Sequence, residues 1–301
     1  MPGPAADRRR ARLRRRLAVA LLVVLAVVVV AAAAGGGDHR RAHAHTRAVA
    51  RPRGARPAVA SPPHRVSPAR RRLLRERAAV AHVLAYTPYV ARGSRRRREI
   101  ALTFDDGPGP LTPRFVRALE RLRVPATFFV VGQQLNDFAA GLRAELRGGF
   151  LVGDHTETHP LLSRLRPAAQ LRELRDQIAR VRRLGGPRPF LFRPPYGAFD
   201  RTTLRLLHRL GLFMVLWTVD TEDYRRPGAR AIARAALSGA RPGAILLMHD
   251  AGGDRSQTLA ALPAIVRRLR ARHYRLVTVA RLVRDDPPPR RQPSPHSLAG
   301  G

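Results

Sequence analysis

The 301-residue sequence contains no cysteine. That excludes disulfides, thiolate metal sites and a cysteine nucleophile, so any metal must be held by nitrogen and oxygen ligands. Lysine is also absent: all 57 basic residues are arginine, against 21 acidic ones, for a formal net charge of +36. Such complete use of arginine, beside abundant alanine, proline and glycine, fits a compositional bias better than selected chemistry. Aromatic residues are few (one Trp, five Tyr and ten Phe), which counts against a nucleic-acid surface built on base stacking.

The charge is uneven along the chain. Residues 1–98 carry 24 Arg against 3 acids, and residues 99–283 carry 30 against 16. A basic arm therefore precedes a milder basic region, and both favour anionic surroundings such as headgroups or wall polymers. Within the arm, the basic cluster Arg8–Arg16 is followed by 18 apolar residues, Leu17–Ala34. A secretory signal has a shorter core, whereas a membrane span needs about 17–25 residues. We read residues 1–34 as a single N-terminal anchor, with a cleaved signal ending near Ala32–Ala34 as the alternative. The positive-inside rule then places the rest of the chain outside the cell membrane. Residues 35–97, rich in Arg, Pro and Ala, read as a linker or stalk, and 285–301 as a disordered Pro-rich tail.

From residue 98 to 284 the pattern changes to short apolar runs alternating with amphipathic stretches. Expected strands are Ile100–Phe104, Ala126–Val131, Phe150–Val152, Pro189–Phe192, Phe213–Val219, Ala244–Met248 and Arg275–Val279. Helical patterns include Pro113–Leu122, Ala168–Leu184, Thr202–Leu210, Ala229–Leu237 and Thr258–Ala271. The expected fold class is α/β: a distorted, incomplete (β/α) barrel of about seven parallel strands.

Polar clusters follow five of these strands, and a parallel barrel would bring all five to its C-terminal face. The first is Thr103-Phe104-Asp105-Asp106-Gly107, where adjacent carboxylates are best tolerated beside a cation or an Arg. A plain strand-ending turn would use the same residues. The second is His155-Thr156-Glu157-Thr158-His159. On one helical turn, stopped soon after by Pro160, its histidines would face one way and share a metal. With Asp106 they make a His, His, carboxylate set that suits Zn²⁺ or another first-row divalent metal such as Co²⁺. The third, Arg193-Pro194-Pro195-Tyr196-Gly197, could hold an Arg toward Asp105 on a rigid backbone. The fourth, Trp217 to Tyr224, brings the only Trp and the acids Asp220, Glu222 and Asp223 to one strand end. The fifth, Leu246-Leu247-Met248-His249-Asp250, ends a buried strand with a histidine suited to general acid work.

Taken together, TFDDG, HTETH, RPPYG and LLMHD, in this order, resemble the polysaccharide deacetylase family (carbohydrate esterase family 4, the NodB homology domain). The resemblance covers about residues 97–283. It implies that Asp105 is the catalytic base, that Asp106, His155 and His159 bind the metal, and that Arg193 positions the base. It further implies an oxyanion-hole donor in the Tyr196 amide, a catalytic acid in His249 tuned by Asp220, and Leu247 in the acetyl pocket. Asp223 competes with Asp220 for the tuning role. One departure is Tyr224, where the family usually has Trp; with Tyr196 and Trp217 it is expected to wall the substrate pocket.

The reading is a metal-dependent, exported N-deacetylase of GlcNAc-containing cell-wall glycan, expected as a monomer that binds no nucleic acid. O-acetyl ester hydrolysis, chitooligosaccharide deacetylation and a non-catalytic glycan-binding protein are the competing readings.

Overall fold

The computed structural model describes residues 67–93 and 95–290. The expected anchor at 1–34, the stalk as far as residue 66 and the tail from residue 291 lie outside the described residues. Among the described residues, no helix is long and apolar enough to cross a membrane.

The first described element is helix α1, Pro68–Leu84, where Ser67 accepts the Arg70 N–H as N-cap and Pro68 opens the first turn. Its inner face buries Glu76, Val80 and Val83, spaced four and three apart, while Arg70, Arg71, Arg72, Arg75 and Arg77 face outward. The sequence reading places this stretch in the stalk, with some helical character over Leu73–Tyr89 limited by Pro88 and Gly93; the structure instead forms a full helix whose apolar stripe joins the core. Val80 and Val83 share a core cluster with Val279, Ala280, Leu282 and Val283 near the other end of the domain.

The chain continues through β1 (Tyr89–Val90), β2 (Glu99–Asp105), α2 (Thr112–Leu122), β3 (Thr127–Val130), α3 (Leu135–Arg147) and β4 (Leu151–Asp154). It then runs through α4 (Pro167–Arg183), β5 (Leu191–Phe192), α5 (Arg201–Leu210), β6 (Phe213–Val215) and β7 (Val219–Asp220). The last elements are α6 (Ala229–Ser238), β8 (Ile245–His249), α7 (Ser256–Ala271), β9 (Arg275–Val277) and α8 (Val279–Asp285). All seven residues of β2 are buried, as expected of a parallel strand covered on both faces.

Every strand pairing is parallel, in the order β1-β6-β5-β4-β3-β2-β8-β7, with β9 also on β2. The result is a curled, incomplete barrel of nine strands rather than about seven. One addition is β1, which pairs with β6. The other arises because the expected strand Phe213–Val219 breaks at residues 216–218. There the Leu216 N–H turns to Val90 O and the Thr218 N–H to Ile245 O, so the segment passes from one sheet edge to the other. The last strand stops at Val277, two residues early, because Thr278 caps α8 by accepting the Arg281 N–H.

The start of the expected tail is also ordered by contacts. Asp286 is buried and accepts the Arg96 and Arg97 N–H groups, and Pro288 O accepts the Tyr86 hydroxyl.

Candidate active site

The sheet delivers Asp105, His155, Arg193, Asp220 and His249 to the C-terminal ends of successive or neighbouring strands. They surround a pocket of about 400 Å³ lined by Asp105, Asp106, His155, His159, Tyr196, Trp217, Asp220, Tyr224, Leu247 and His249. Arg193 lies beneath it, fully buried.

Arg193 is placed by satisfying five partners at once. Its Nη1 donates to Asp105 Oδ1 at 2.7 Å and to Thr103 Oγ1 at 2.8 Å. Nε donates to Val215 O at 3.1 Å and Nη2 to Leu216 O at 3.2 Å, the carbonyls at the break in the barrel wall. The guanidinium also lies over the Phe129 ring, 4.3 Å from its centroid. Burial pulls its pKa down and Asp105 opposes this, so the pair is a desolvated ion pair that orients the Asp105 carboxylate.

Asp106 leaves β2 with a φ of 70°, in the left-handed region. Thr156, His159 and Tyr196 share that conformation, at 68°, 60° and 59°. Four such non-glycine residues at one pocket mark a backbone held by its surroundings. The histidine pair is therefore not on a helical turn, which corrects the expectation from i, i+4 spacing. Asp154 Oδ1 accepts the Thr156 N–H at 2.7 Å, and Thr156 Oγ1 accepts the His159 N–H at 3.0 Å. Glu173, from α4, accepts the Glu157 and Thr158 N–H groups. These bonds replace a helical ladder with a side-chain-braced loop.

The loop nevertheless aims both rings at Asp106. His159 Nε2 lies 3.2 Å and His155 Nε2 3.6 Å from Asp106 Oδ1. Burial pushes the Asp106 carboxyl up, but the two imidazoles outweigh it and hold it well below the usual carboxylate range. His155 Nδ1 sits 2.7 Å from Arg193 O. A carbonyl can only accept, so that nitrogen carries the proton and Nε2 is left to face the space it shares with Asp106 Oδ1 and His159 Nε2. One oxygen and two imidazole nitrogens thus converge within 4.8 Å of one another, a donor set that fits a divalent cation.

His249, at the end of β8, is paired with Asp223 rather than Asp220. Its Nδ1 is 2.7 Å from Asp223 Oδ1, and its own backbone N–H donates to Asp223 Oδ2 at 2.8 Å. Asp220 spends Oδ1 on the Glu222 N–H. The expectation that Asp220 tunes the histidine is corrected: the short 3₁₀ turn Asp223–Arg225 swings Asp223 back under β8. Burial pulls the His249 imidazole down, but the Asp223 hydrogen bond and charge, joined by Asp105 and Asp106, raise it to about 9.

Leu247 is buried on the pocket floor, while Tyr196 and Tyr224 stand exposed at the rim. The Tyr196 ring packs edge-on to His159 at 4.7 Å, and Tyr224 edge-on to His249 at 5.6 Å. Sequence reasoning missed the residues behind this surface. Thr103 braces Arg193, Asp154 braces the histidine loop, and Thr258 Oγ1 donates to Asp223 Oδ2 at 2.7 Å. Further back, Asp250 accepts the Thr112 hydroxyl and stands near the fully buried Glu145. Both Glu145 oxygens and Asp250 Oδ1 have no hydrogen-bond partner among the described residues. Burial, with the Asp106 and Asp105 charges, pushes Asp250 up to about 7, and burial with Asp250 pushes Glu145 well up. Thr103 and Asp250 stand inside the TFDDG and LLMHD motifs, which gave them no role of their own, while nothing local singles out Asp154, Thr258, Thr112 or Glu145.

The sequence profile described as Polysaccharide deacetylase matches residues 92–215. A chitooligosaccharide deacetylase of Bradyrhizobium sp. (strain ANU 289) is 38% identical over 196 residues, spanning 60% of this chain and 88% of the relative. A peptidoglycan-N-acetylglucosamine deacetylase of Bacillus cereus is 35% identical over 191 residues, spanning 62% and 88%. Among solved structures, the Bc1960 peptidoglycan N-acetylglucosamine deacetylase superposes with a TM-score of 0.64 at 30% identity, over 68% of this chain and 96% of that one.

Proposed function

Since the chain belongs to the polysaccharide deacetylase family, we propose that it hydrolyses N-acetyl groups of GlcNAc residues in cell-wall glycan, peptidoglycan in particular. The observation that carries this reading is the meeting of three assemblies in one pocket: the Asp106–His155–His159 donors, the Arg193–Asp105 pair and the Asp223–His249 pair.

Asp106, His155 and His159 would hold the metal, and Zn²⁺ suits two imidazoles and a carboxylate. A divalent cation there supplies Lewis-acid polarisation of the acetamide carbonyl and acidifies water. Asp105, oriented by the Arg193 guanidinium, takes a proton from the attacking water. The Tyr196 N–H, presented by its left-handed backbone, donates to the oxygen that gains charge. His249, whose Nδ1 is engaged by Asp223, offers the proton on Nε2 to the departing sugar nitrogen. The C–N bond breaks, and one acetate and one free amine leave for each water consumed.

The net positive charge of the domain favours an anionic wall environment. Leu17–Ala34 supports attachment to the cell membrane with this domain outside. The chitooligosaccharide relative supports a second substrate, unbranched GlcNAc oligomers, on the same site. The test is to supply metal-loaded protein with purified peptidoglycan, chitotetraose and an O-acetylated glycan, then map freed amines by mass spectrometry. Free amines on peptidoglycan GlcNAc support the proposal; ester cleavage alone, or amines on chitotetraose alone, redirects the substrate.

A further inference from the structure

The loop that carries Tyr224 is held by three side chains from a single stretch, Arg255–Thr258, at the start of α7. Thr258 Oγ1 binds Asp223 at the loop's beginning, and Gln257 Oε1 accepts the Gly228 N–H at 2.7 Å at its end. Between them lies Arg255, buried to 5% exposure, with no carboxylate in ion-pair contact among the described residues, although the Asp254 carboxyl feels its charge from farther off. Its Nε donates to Ala251 O at 2.8 Å, Nη2 to Gly252 O at 2.6 Å, and Nη1 reaches Tyr224 O and Asp254 O at 3.5 Å. A buried guanidinium served only by carbonyls is costly to keep, and a shorter cation could not span these acceptors.

The two loops that Arg255 joins reach the site differently, one at the pocket rim and one behind the metal-ligand set. Tyr224 forms the rim, and the Gly252 loop passes so close to the metal-ligand set that a Cβ at Gly252 would lie 2.4 Å from Asp106 Oδ2. The Tyr224 loop also carries strain, since Glu222 and Arg226 have φ values of 50° and 54°. Strain of that kind persists only where neighbours hold it.

We propose that Arg255 is a positioning residue for acyl-group selectivity: it clasps the Tyr224 loop to the Ala251–Gly252 loop, which packs on Asp106, and so fixes how far the Tyr224 rim stands from the metal-ligand set. It touches no reacting atom and acts through Tyr224. The inference rests on the deacetylase reading and adds a determinant of which acyl group fits.

The test compares hydrolysis of chitotetraose bearing N-acetyl or N-propionyl groups by wild type, Arg255→Met, Arg255→Lys, Tyr224→Ala and the Arg255→Met/Tyr224→Ala double variant. One methylene in a shaped pocket is worth about 10–200-fold in discrimination. The wild type is expected to favour acetyl within that range, and Arg255→Met to bring the preference below about fivefold, mainly through KM. Tyr224→Ala should lose selectivity similarly, and the double variant should lose no more than the worse single one, as expected of coupled residues. Arg255→Lys keeps the charge but not the fork, so it too should lose selectivity; it stands in if Arg255→Met does not fold. Amide exchange across residues 224–228 should quicken in either Arg255 variant. Wild-type selectivity in Arg255→Lys or Arg255→Met, or losses that multiply in the double variant, would overturn the inference while leaving the deacetylase reading intact. A wild type inactive on chitotetraose is assayed in the same way on peptidoglycan re-acylated with acetyl or propionyl groups, and release of neither group from either substrate ends both.

Discussion

The Asp223 carboxylate holds His249 at two points, accepting its backbone N–H at 2.8 Å and meeting its Nδ1 at 2.7 Å. One side chain therefore fixes both the position of β8's last residue and the orientation of its ring. Asp223→Asn should reduce kcat by about 10²–10⁴-fold, the usual worth of general acid catalysis, whereas Asp220→Asn should cost less. Steady-state acetate release measures both, and equal losses would return the tuning role to Asp220.

The same pair sets the pH dependence. Because His249 must be protonated to act as acid, and its pKa is raised to about 9, the rate should fall on the alkaline side as that proton is lost. Cation bound at Asp106 offsets part of the nearby negative charge, so the limb is expected at or below about 9. In Asp223→Asn the raising charge is gone while burial remains, and the limb should move to lower pH. A pH profile of kcat/KM for the two proteins reads this directly.

Arg193 and Asp105 make a different prediction, about stability. Removing the guanidinium leaves a buried carboxylate and two buried carbonyls, those of Val215 and Leu216, without their donor. Arg193→Met should therefore cost about 3–5 kcal/mol in unfolding free energy, beyond any loss of activity. Denaturant titration provides the value, and a change under about 1 kcal/mol would contradict a structural role.

Behind the pocket, Glu145 and Asp250 predict an unusual stability profile. Burial raises both above their unfolded values, Asp250 to about 7. The folded state therefore holds protons that the unfolded chain has already released. Stability should fall as pH climbs from about 4 toward 7 and beyond, on their account. Glu145→Gln removes one of the two charges and should raise Tm more at pH 8 than at pH 5. An equal gain at both pH values would sink the argument.

How far the sequence carries is seen in particular residues. Strand ends at Asp105, Arg193 and His249 were legible because short apolar runs stop there and polar residues begin. The conformation of His155–His159 was not, since i, i+4 spacing suits a helix and only Asp154, Thr156 and Glu173, meeting in three dimensions, make the loop instead. The break at residues 216–218 was hidden inside one apolar run. α1 was legible only in part, as helical character over Leu73–Tyr89, because exposed arginines dilute the stripe of Val80 and Val83. The family resemblance set Asp223 beside Asp220 as candidates for the tuning role, but choosing between them needed the fold of the turn. Thr258 acts through a contact made across the chain, and Arg255 through carbonyls of both its own loop and the Tyr224 loop, and no local pattern distinguishes either.

The central claim is that Asp105, His249 and the three-donor metal site together hydrolyse an acetamide on cell-wall glycan. The most direct measurement quantifies acetate and new amines released from purified peptidoglycan by zinc-loaded wild type, Asp105→Asn and chelator-treated protein. The account predicts equal amounts of acetate and amine from wild type, and a loss of about 10²-fold or more in the other two. Stoichiometric metal binding by the wild type with no release of either product would contradict it.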